Sequence, residues 1–346
     1  MKNFLKYFPL VILAVFTACK HDETITDPTL NDTFSPFSYV ENLTVSKSVV
    51  GFGLGETVSF YAKFSIKTHW KISIRGYKTG SIATITGSSN TLNEKIAMWD
   101  GRSDVPVFPA DSAIATLSFP DDTTRTKQTV SLKVTSSKNI KSNPNYIVVK
   151  DFSKGMTGVS FNPDGKDIDS SGIITVAGAI CFSAAGAERG TSTYYMGGLA
   201  ITPAAESPNA KYFPVVPSGT VADSAAVNNT WFNIWVYGTG STSTKMNIQF
   251  KESDLGNIPF QYQDPKDDAW EYAVYPVWNG WQQISFPMNK TTISVSPAYG
   301  GSGNKIREID RIVIIGINIG TIGNAAAPAQ TIYTYPVFSI GGPFNY

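Results

Sequence analysis

The sequence predicts an all-β chain made of two consecutive β-sandwiches. Three observations carry that reading. Gly and Pro number 29 and 20 of 346 residues and stand beside many Thr, Ser, Val and Ile, so turn formers and strand formers dominate. Apolar runs of about 5 to 9 residues recur between turn signals. No stretch shows the apolar periodicity of an amphipathic helix of about 12 residues.

Taken in order, residues 37–142 hold candidate strands at 42–50, 56–65, 69–77, 81–87, 113–119 and 129–136. Val58, Phe60, Ala62 and Phe64 alternate onto one face, as do Trp70, Ile72 and Ile74 against His69, Lys71, Ser73 and Arg75. One face is core and the other wet, which suits an Ig-like sandwich. Trp99 is expected to pack, with Asp100–Gly101 in a turn. The polar segment 136–146, with Asn143–Pro144, is the expected boundary. Residues 146–346 hold five of the seven tryptophans and nine candidate strands, at 146–152, 172–184, 194–203, 230–238, 245–253, 270–278, 281–288, 311–320 and 330–340. That number suits a two-sheet jelly roll.

The leading segment has Lys2 and Lys6, an apolar run from Phe8 to Phe16, then Thr17, Ala18 and Cys19. The run is shorter than the roughly 20 residues of a spanning helix and reads as a signal peptide over residues 1–18. The ending "FTAC" resembles the lipobox of bacterial lipoproteins, in which the cysteine carries the lipid; the resemblance implies lipidation at Cys19. "KHDE" after it is similar to the surface-export signal of lipoproteins in Gram-negative glycan-degrading bacteria, and implies a lipid-anchored protein on the outer membrane, at the cell surface. Residues 19–36 read as a flexible tether. A net charge of +1 without a basic stripe argues against a nucleic-acid partner. With Cys19 lipidated, Cys181 is the remaining cysteine, expected to be a buried thiol.

The segments 146–155, 231–254, 267–288 and 305–320 resemble jelly-roll carbohydrate-binding modules of the galactose-binding-like type, including family 11. The resemblance implies a polysaccharide or oligosaccharide ligand and a structural calcium held by acids of the first and last strands. Asp151 fits the first; the last strand has no acid.

Several chemistries were open to these residues. Catalytic elbows and phosphate loops are missing from the sequence. A glycosidase needs two carboxylates, and Glu188, Asp223, Glu252, Asp254, Glu271, Glu308 and Asp310 are available, with Glu271 inside a strand. Asp164, Asp167 and Asp169 on a Gly-containing loop suit calcium or a solvated turn; Asp264, Asp267 and Asp268 pose the same choice. No other cofactor is expected.

The aromatics divide by strand parity. Asn279–Gly280 is a two-residue hairpin signal that would pair Trp278 with Trp281, Pro276 with Gln283 and Val274 with Ser285. Trp270, Tyr272, Val274, Trp278, Trp281, Gln283 and Ser285 then share one face. Tyr275, Ile284, Phe286 and Met288 fall on the core side. In 230–238, Asn233, Trp235 and Tyr237 oppose Phe232, Ile234 and Val236; in 245–253, Gln249 opposes Met246, Ile248 and Phe250. The expected glycan-binding set is Asn233, Trp235, Tyr237, Gln249, Trp270, Tyr272, Trp278 and Gln283, while Trp231 and Trp281 are expected to pack at the core edge. Flat rings cover sugar faces and amides bond their rims. The leading expectation is non-catalytic glycan binding at the cell surface, as an accessory to glycan-uptake proteins. A protein-binding or structural lipoprotein and a glycan-active enzyme are the alternatives.

Overall fold

The structure is a computed structural model and describes residues 36–165, 167–189, 195–201, 228–252, 268–293, 306–307, 309, 312–322 and 327–344. Cys19, Asp223, Asp254, Asp264, Asp267, Glu308 and Asp310 lie outside them. Among the described residues no helix is long and apolar enough to cross a membrane. The chain is all-β.

The N-terminal unit consists of β1 (Tyr39–Val45), β2 (Val49–Gly51), β3 (Val58–Gly76), β4 (Ile82–Leu92), β5 (Met98–Trp99), β6 (Asp111–Ser118) and β7 (Gln128–Ser136). Two candidate strands, 56–65 and 69–77, are one strand of 19 residues, β3. Its first part pairs with β1, its last part with β6, and β4 pairs along both. The alternation holds throughout: Val58, Phe60, Ala62, Phe64, Trp70, Ile72 and Ile74 are all buried in one cluster. Trp99 joins it, donating from Nε1 to the carbonyl of Arg102 at 2.7 Å, while Gly101 takes the turn at φ +90°.

The C-terminal unit is a sandwich of two sheets. Sheet I contains β8 (Tyr146–Val148), β10 (Ile168–Val176), β11 (Ala179–Ala187), β13 (Thr230–Thr239), β16 (Asn279–Pro287) and β19 (Pro328–Ile340). Its order is β10-β11-β19-β13-β16, with β8 also on β19. Sheet II contains β9 (Val159–Pro163), β12 (Gly197–Ile201), β14 (Thr244–Glu252), β15 (Ala269–Val274), β17 (Thr292–Ile293) and β18 (Ile312–Thr321), in the order β17-β15-β14-β18-β12-β9. The inner faces meet in one apolar cluster that includes Phe182, Phe232, Phe250, Phe286, Ile315, Ile317 and Phe338.

Two turn expectations are corrected. The segment 172–184 is not one strand but the hairpin β10–β11, in which Val176 pairs with Ala179 around Ala177–Gly178. Both turn residues have positive φ, +50° and +80°, as a type I′ turn requires. The tip of this hairpin meets the N-terminal unit: Ser81 donates from Oγ to the carbonyl of Ala177 at 2.8 Å. Conversely, Asn279–Gly280 does not close a hairpin. β15 pairs with β14 and β17 in sheet II, whereas β16 pairs with β13 in sheet I. Residues 275–278 carry the chain between sheets, and Pro276, which has no N–H, sits where pairing stops.

Candidate functional site

Because β15 and β16 belong to different sheets, the aromatic stretch 270–286 has no common binding face. On β14 and β15, Met246 pairs with Val274, Ile248 with Tyr272 and Phe250 with Trp270, so these six share the inner face. Trp270 is 5% exposed, and the Arg307 guanidinium lies 4.2 Å from its ring centroid. Tyr272 stacks on Phe286 with centroids 3.8 Å apart and planes 9° apart. Trp278 is half-buried against the same cluster, over Gly238, where an added Cβ would meet its Cδ1 at 2.7 Å. Trp270, Tyr272 and Trp278 are therefore packing residues, contrary to expectation. Ile284, Phe286 and Met288 are in the core or against it, as expected, but Tyr275 is exposed in the crossover.

The outer face of sheet I gathers Asn233, Trp235, Tyr237, Trp281 and Gln283, since Asn233 pairs with Ser285, Trp235 with Gln283 and Tyr237 with Trp281. The chain's own tail covers one end of it. Asn233 donates from Nδ2 to the carbonyl of Val337 at 3.1 Å and to Ser339 Oγ at 2.9 Å, and its Oδ1 accepts from the Phe344 N–H at 2.8 Å. Gln283 donates from Nε2 to the Phe344 carbonyl at 2.5 Å and to Ser285 Oγ at 2.9 Å. Phe344 itself packs with Ile140 and Val337. The Asn233 amide is thus satisfied internally, and the Gln283 Nε2 is taken by the chain's own groups. Trp235 is 7% exposed, and Tyr237 meets Trp281 edge-on with centroids 5.4 Å apart.

The outer face of sheet II is different. Lys245, Asn247, Gln249 and Lys251 of β14 stand on it, opposite the inward Met246, Ile248 and Phe250. β15 adds Glu271 and Ala273. β18 adds Gly316, Asn318 and Gly320, which pair with Gln249, Asn247 and Lys245. β12 adds Gly198 and Ala200, and β9 adds Ser160 and Asn162. The middle of this face therefore alternates glycine and alanine with Asn247, Gln249 and Asn318. An added Cβ on Gly316 would meet Gln249 Cβ at 3.5 Å and Lys251 Cε at 3.8 Å; one on Gly198 would meet Asn318 Oδ1 at 2.4 Å and Tyr195 Oη at 3.0 Å. The result is a glycine-lined trough in which Asn318 and Tyr195 lie over Gly198, and Gln249 and Lys251 lie beside Gly316. At a strand spacing of about 4.8 Å, the six-stranded face is about 24 Å wide.

The trough is rich in hydrogen-bonding groups. Asn247 Oδ1 is buried and has no hydrogen-bond partner. Gln249 and Glu271 are joined by one long contact, 3.4 Å from Nε2 to Oε2. Burial lowers the pKa of Lys251 to about 8. Glu271 is the one carboxylate among the described residues of this face. Of the eight expected ligand residues, only Gln249 stands here. Sequence reasoning puts Asn247 outward beside Gln249 but leaves it out of the ligand set, and it misses Asn318, Tyr195 and Asn162. The available signal was the pair of small-residue strands, "GGLAI" and "GINIG", whose alternation with isoleucine and leucine marks a glycine-lined outer face.

The acidic candidates do not assemble as expected. Among the described residues no three His, Cys, Asp or Glu side chains gather for a metal. Asp169 is held by Arg189 at 2.6 and 2.8 Å, which lowers its pKa. Asp151 is satisfied by protein groups: Oδ1 accepts from Ser153 N at 2.9 Å and Oγ at 2.7 Å, and Oδ2 faces Lys141 Nζ at 2.6 Å. Burial pushes its pKa up, but these partners outweigh burial and hold it below the usual value. Cys181 is buried, with its thiol pushed up to about 12 by burial.

No family model and no curated protein matches the chain. Similar solved structures are carbohydrate-binding modules. A family 11 module from Clostridium thermocellum, in complex with a β-1,3-1,4-mixed-linked tetrasaccharide, is 14% identical over 58% of this chain and 98% of its own, with a TM-score of 0.38. A family 30 module of a cellulosomal cellulase from Clostridium thermocellum is 9% identical over 56% and 97%, with a TM-score of 0.34. A xylan-binding family 22 domain is 11% identical over 59% and 99%, with a TM-score of 0.29. Superpositions this loose transfer neither a site nor a ligand.

Proposed function

We propose that the chain is a non-catalytic glycan-binding protein whose ligand lies in the glycine-lined trough on sheet II. The observation that supports this most is the trough's chemistry: glycines at 198 and 316 beneath a set of polar side chains, Asn247, Gln249, Glu271, Asn318, Asn162 and Tyr195, with Asn247 Oδ1 buried and unpartnered. A sugar presents many hydroxyls, each able to donate and accept. Amides and a carboxylate bond such rims. Glu271 serves as an acceptor; a hydrolytic site needs a second carboxylate across the bond to be cut.

The wider setting follows from the sequence. Cys19 in "FTAC" carries the lipid, residues 19–36 form the tether, and the N-terminal Ig-like unit holds the sandwich away from the outer membrane. In that setting the protein is an accessory to glycan uptake.

Affinity electrophoresis of the soluble chain against plant, algal and host polysaccharides tests the proposal, with mixed-linkage β-glucan and xylan in the panel. Retardation by at least one polysaccharide, lost in Asn247→Ala/Gln249→Ala, is the expected result. A folded chain that no polysaccharide retards would overturn it. Release of new reducing ends would show an enzyme instead.

A further inference from the structure

The two sandwiches meet at two separate places. The linker is the first. It leaves β7 at Ser136 and enters β8 at Tyr146. Lys138 is held on the N-terminal unit, its Nζ donating to Asp100 Oδ2 at 2.8 Å. Ile140, two residues on, already packs with Val337 and Phe344 of the C-terminal unit. Lys141 Nζ then faces Asp151 Oδ2 at 2.6 Å. Only Asn139 lies between the two anchored stretches, and it is itself caught in a turn. Its Oδ1 accepts from Lys141 N at 3.1 Å and its carbonyl from Ser142 Oγ at 2.7 Å.

The second place is the tip of the β10–β11 hairpin. Ser81, fully buried, donates from Oγ to the Ala177 carbonyl. An added Cβ on Gly178 would lie 2.8 Å from Pro109 Cγ and from Ser81 Oγ, and 3.0 Å from Thr79 Cβ. The tip is thus pressed against Pro109 and the turn between β3 and β4. Ala179 is fully buried although it stands next to the tip. The receiving turn is braced from within its own unit: Asp111 Oδ2 accepts from Lys78 N, Thr79 N and Thr79 Oγ1, each at 2.9 Å.

Domains joined by a linker alone swing relative to one another. A second attachment, made by a different part of the chain, removes that freedom. We infer that the two sandwiches move as one rigid body, with the β10–β11 tip as a plug and Pro109 and the β3–β4 turn as its socket. Gly178 suits the plug twice over: its φ of +80° closes the turn, and its missing side chain lets the socket approach. The N-terminal unit then aims the trough as well as spacing it. That holds whatever the trough binds, so its test is separate from the glycan test.

Spin labels on Lys95→Cys and Lys290→Cys, exposed positions on the two units, read the distance between them in the soluble chain beginning after Cys19. The buried Cys181 stays unlabelled. A Lys67→Cys/Lys95→Cys pair within the N-terminal unit sets the width that the labels themselves give. The expected result is a single distance peak between the units, no broader than that reference. Gly178→Val fills the contact from the plug side. Pro109→Arg crowds it from the socket side and leaves the hairpin turn unaltered. Each should broaden the peak about twofold or more. A broad or multiple-peaked distribution in the parent pair would overturn the inference whether or not the variants fold. So would a peak that stays narrow in either folded variant.

Discussion

The two outer faces of the C-terminal sandwich carry similar residues and differ in what satisfies them. On sheet I, Asn233 and Gln283 stand among Trp235, Tyr237 and Trp281, and the tail supplies their partners through the Phe344 backbone. On sheet II, Asn247 and Gln249 stand among Glu271, Asn318 and Gly316; Asn247 Oδ1 has no partner and Gln249 only a long one. An amide beside aromatic rings is therefore no sign of a ligand by itself. Both faces keep buried unpartnered groups, Trp235 Nε1 and Trp281 Nε1 on sheet I and Asn247 Oδ1 on sheet II; what separates them is that the tail binds the amides of sheet I.

The largest effect should come from a residue that belongs to neither face. Trp270→Ala removes a buried ring from the inner face of sheet II and should cost about 3–5 kcal/mol in urea unfolding. Unchanged stability would return Trp270 to the surface. Next, Asn233→Ala leaves the Phe344 N–H without its acceptor and the Val337 carbonyl without its donor, for a loss of about 2–3 kcal/mol. Glycan retardation should persist in this variant at permissive temperature. Smaller in stability but decisive for binding, Asn247→Ala or Gln249→Ala should weaken glycan affinity about tenfold. Each should shift stability by no more than about 0.5 kcal/mol.

The smallest effect is one of pH. Burial lowers Lys251 to about 8, so between that pH and the ordinary lysine value the unfolded chain holds a proton that the folded chain has released. Stability then rises with pH across that window, and the gain is lost as pH falls through about 8. Lys251→Met should flatten the rise in urea midpoint measured from pH 7.5 to 10.

Much of this architecture was legible in the sequence, and its limits have physical causes. Parity named the inward residues of β3, β13 and β14, because a two-residue period binds every side chain to one face once a strand is placed. It could not say which strands pair. The strong Asn279–Gly280 signal joined β15 to β16, and that one wrong pairing moved Trp270 and Tyr272 from core to surface. Ala177–Gly178, a weaker signal, is the real hairpin turn. The site was harder still. Aromatic residues mark the expected set, while the outer face of sheet II is polar and glycine-lined, at Gly198 and Gly316.

The most direct measurement compares two double variants of the soluble chain on the same polysaccharide gels. Asn247→Ala/Gln249→Ala removes two amides from the sheet II trough; Tyr237→Ala/Trp281→Ala strips the aromatic pair from sheet I. The trough predicts that the first loses retardation while the second, still folded, is retarded like the wild type. Loss of retardation in the second with retention in the first would contradict it.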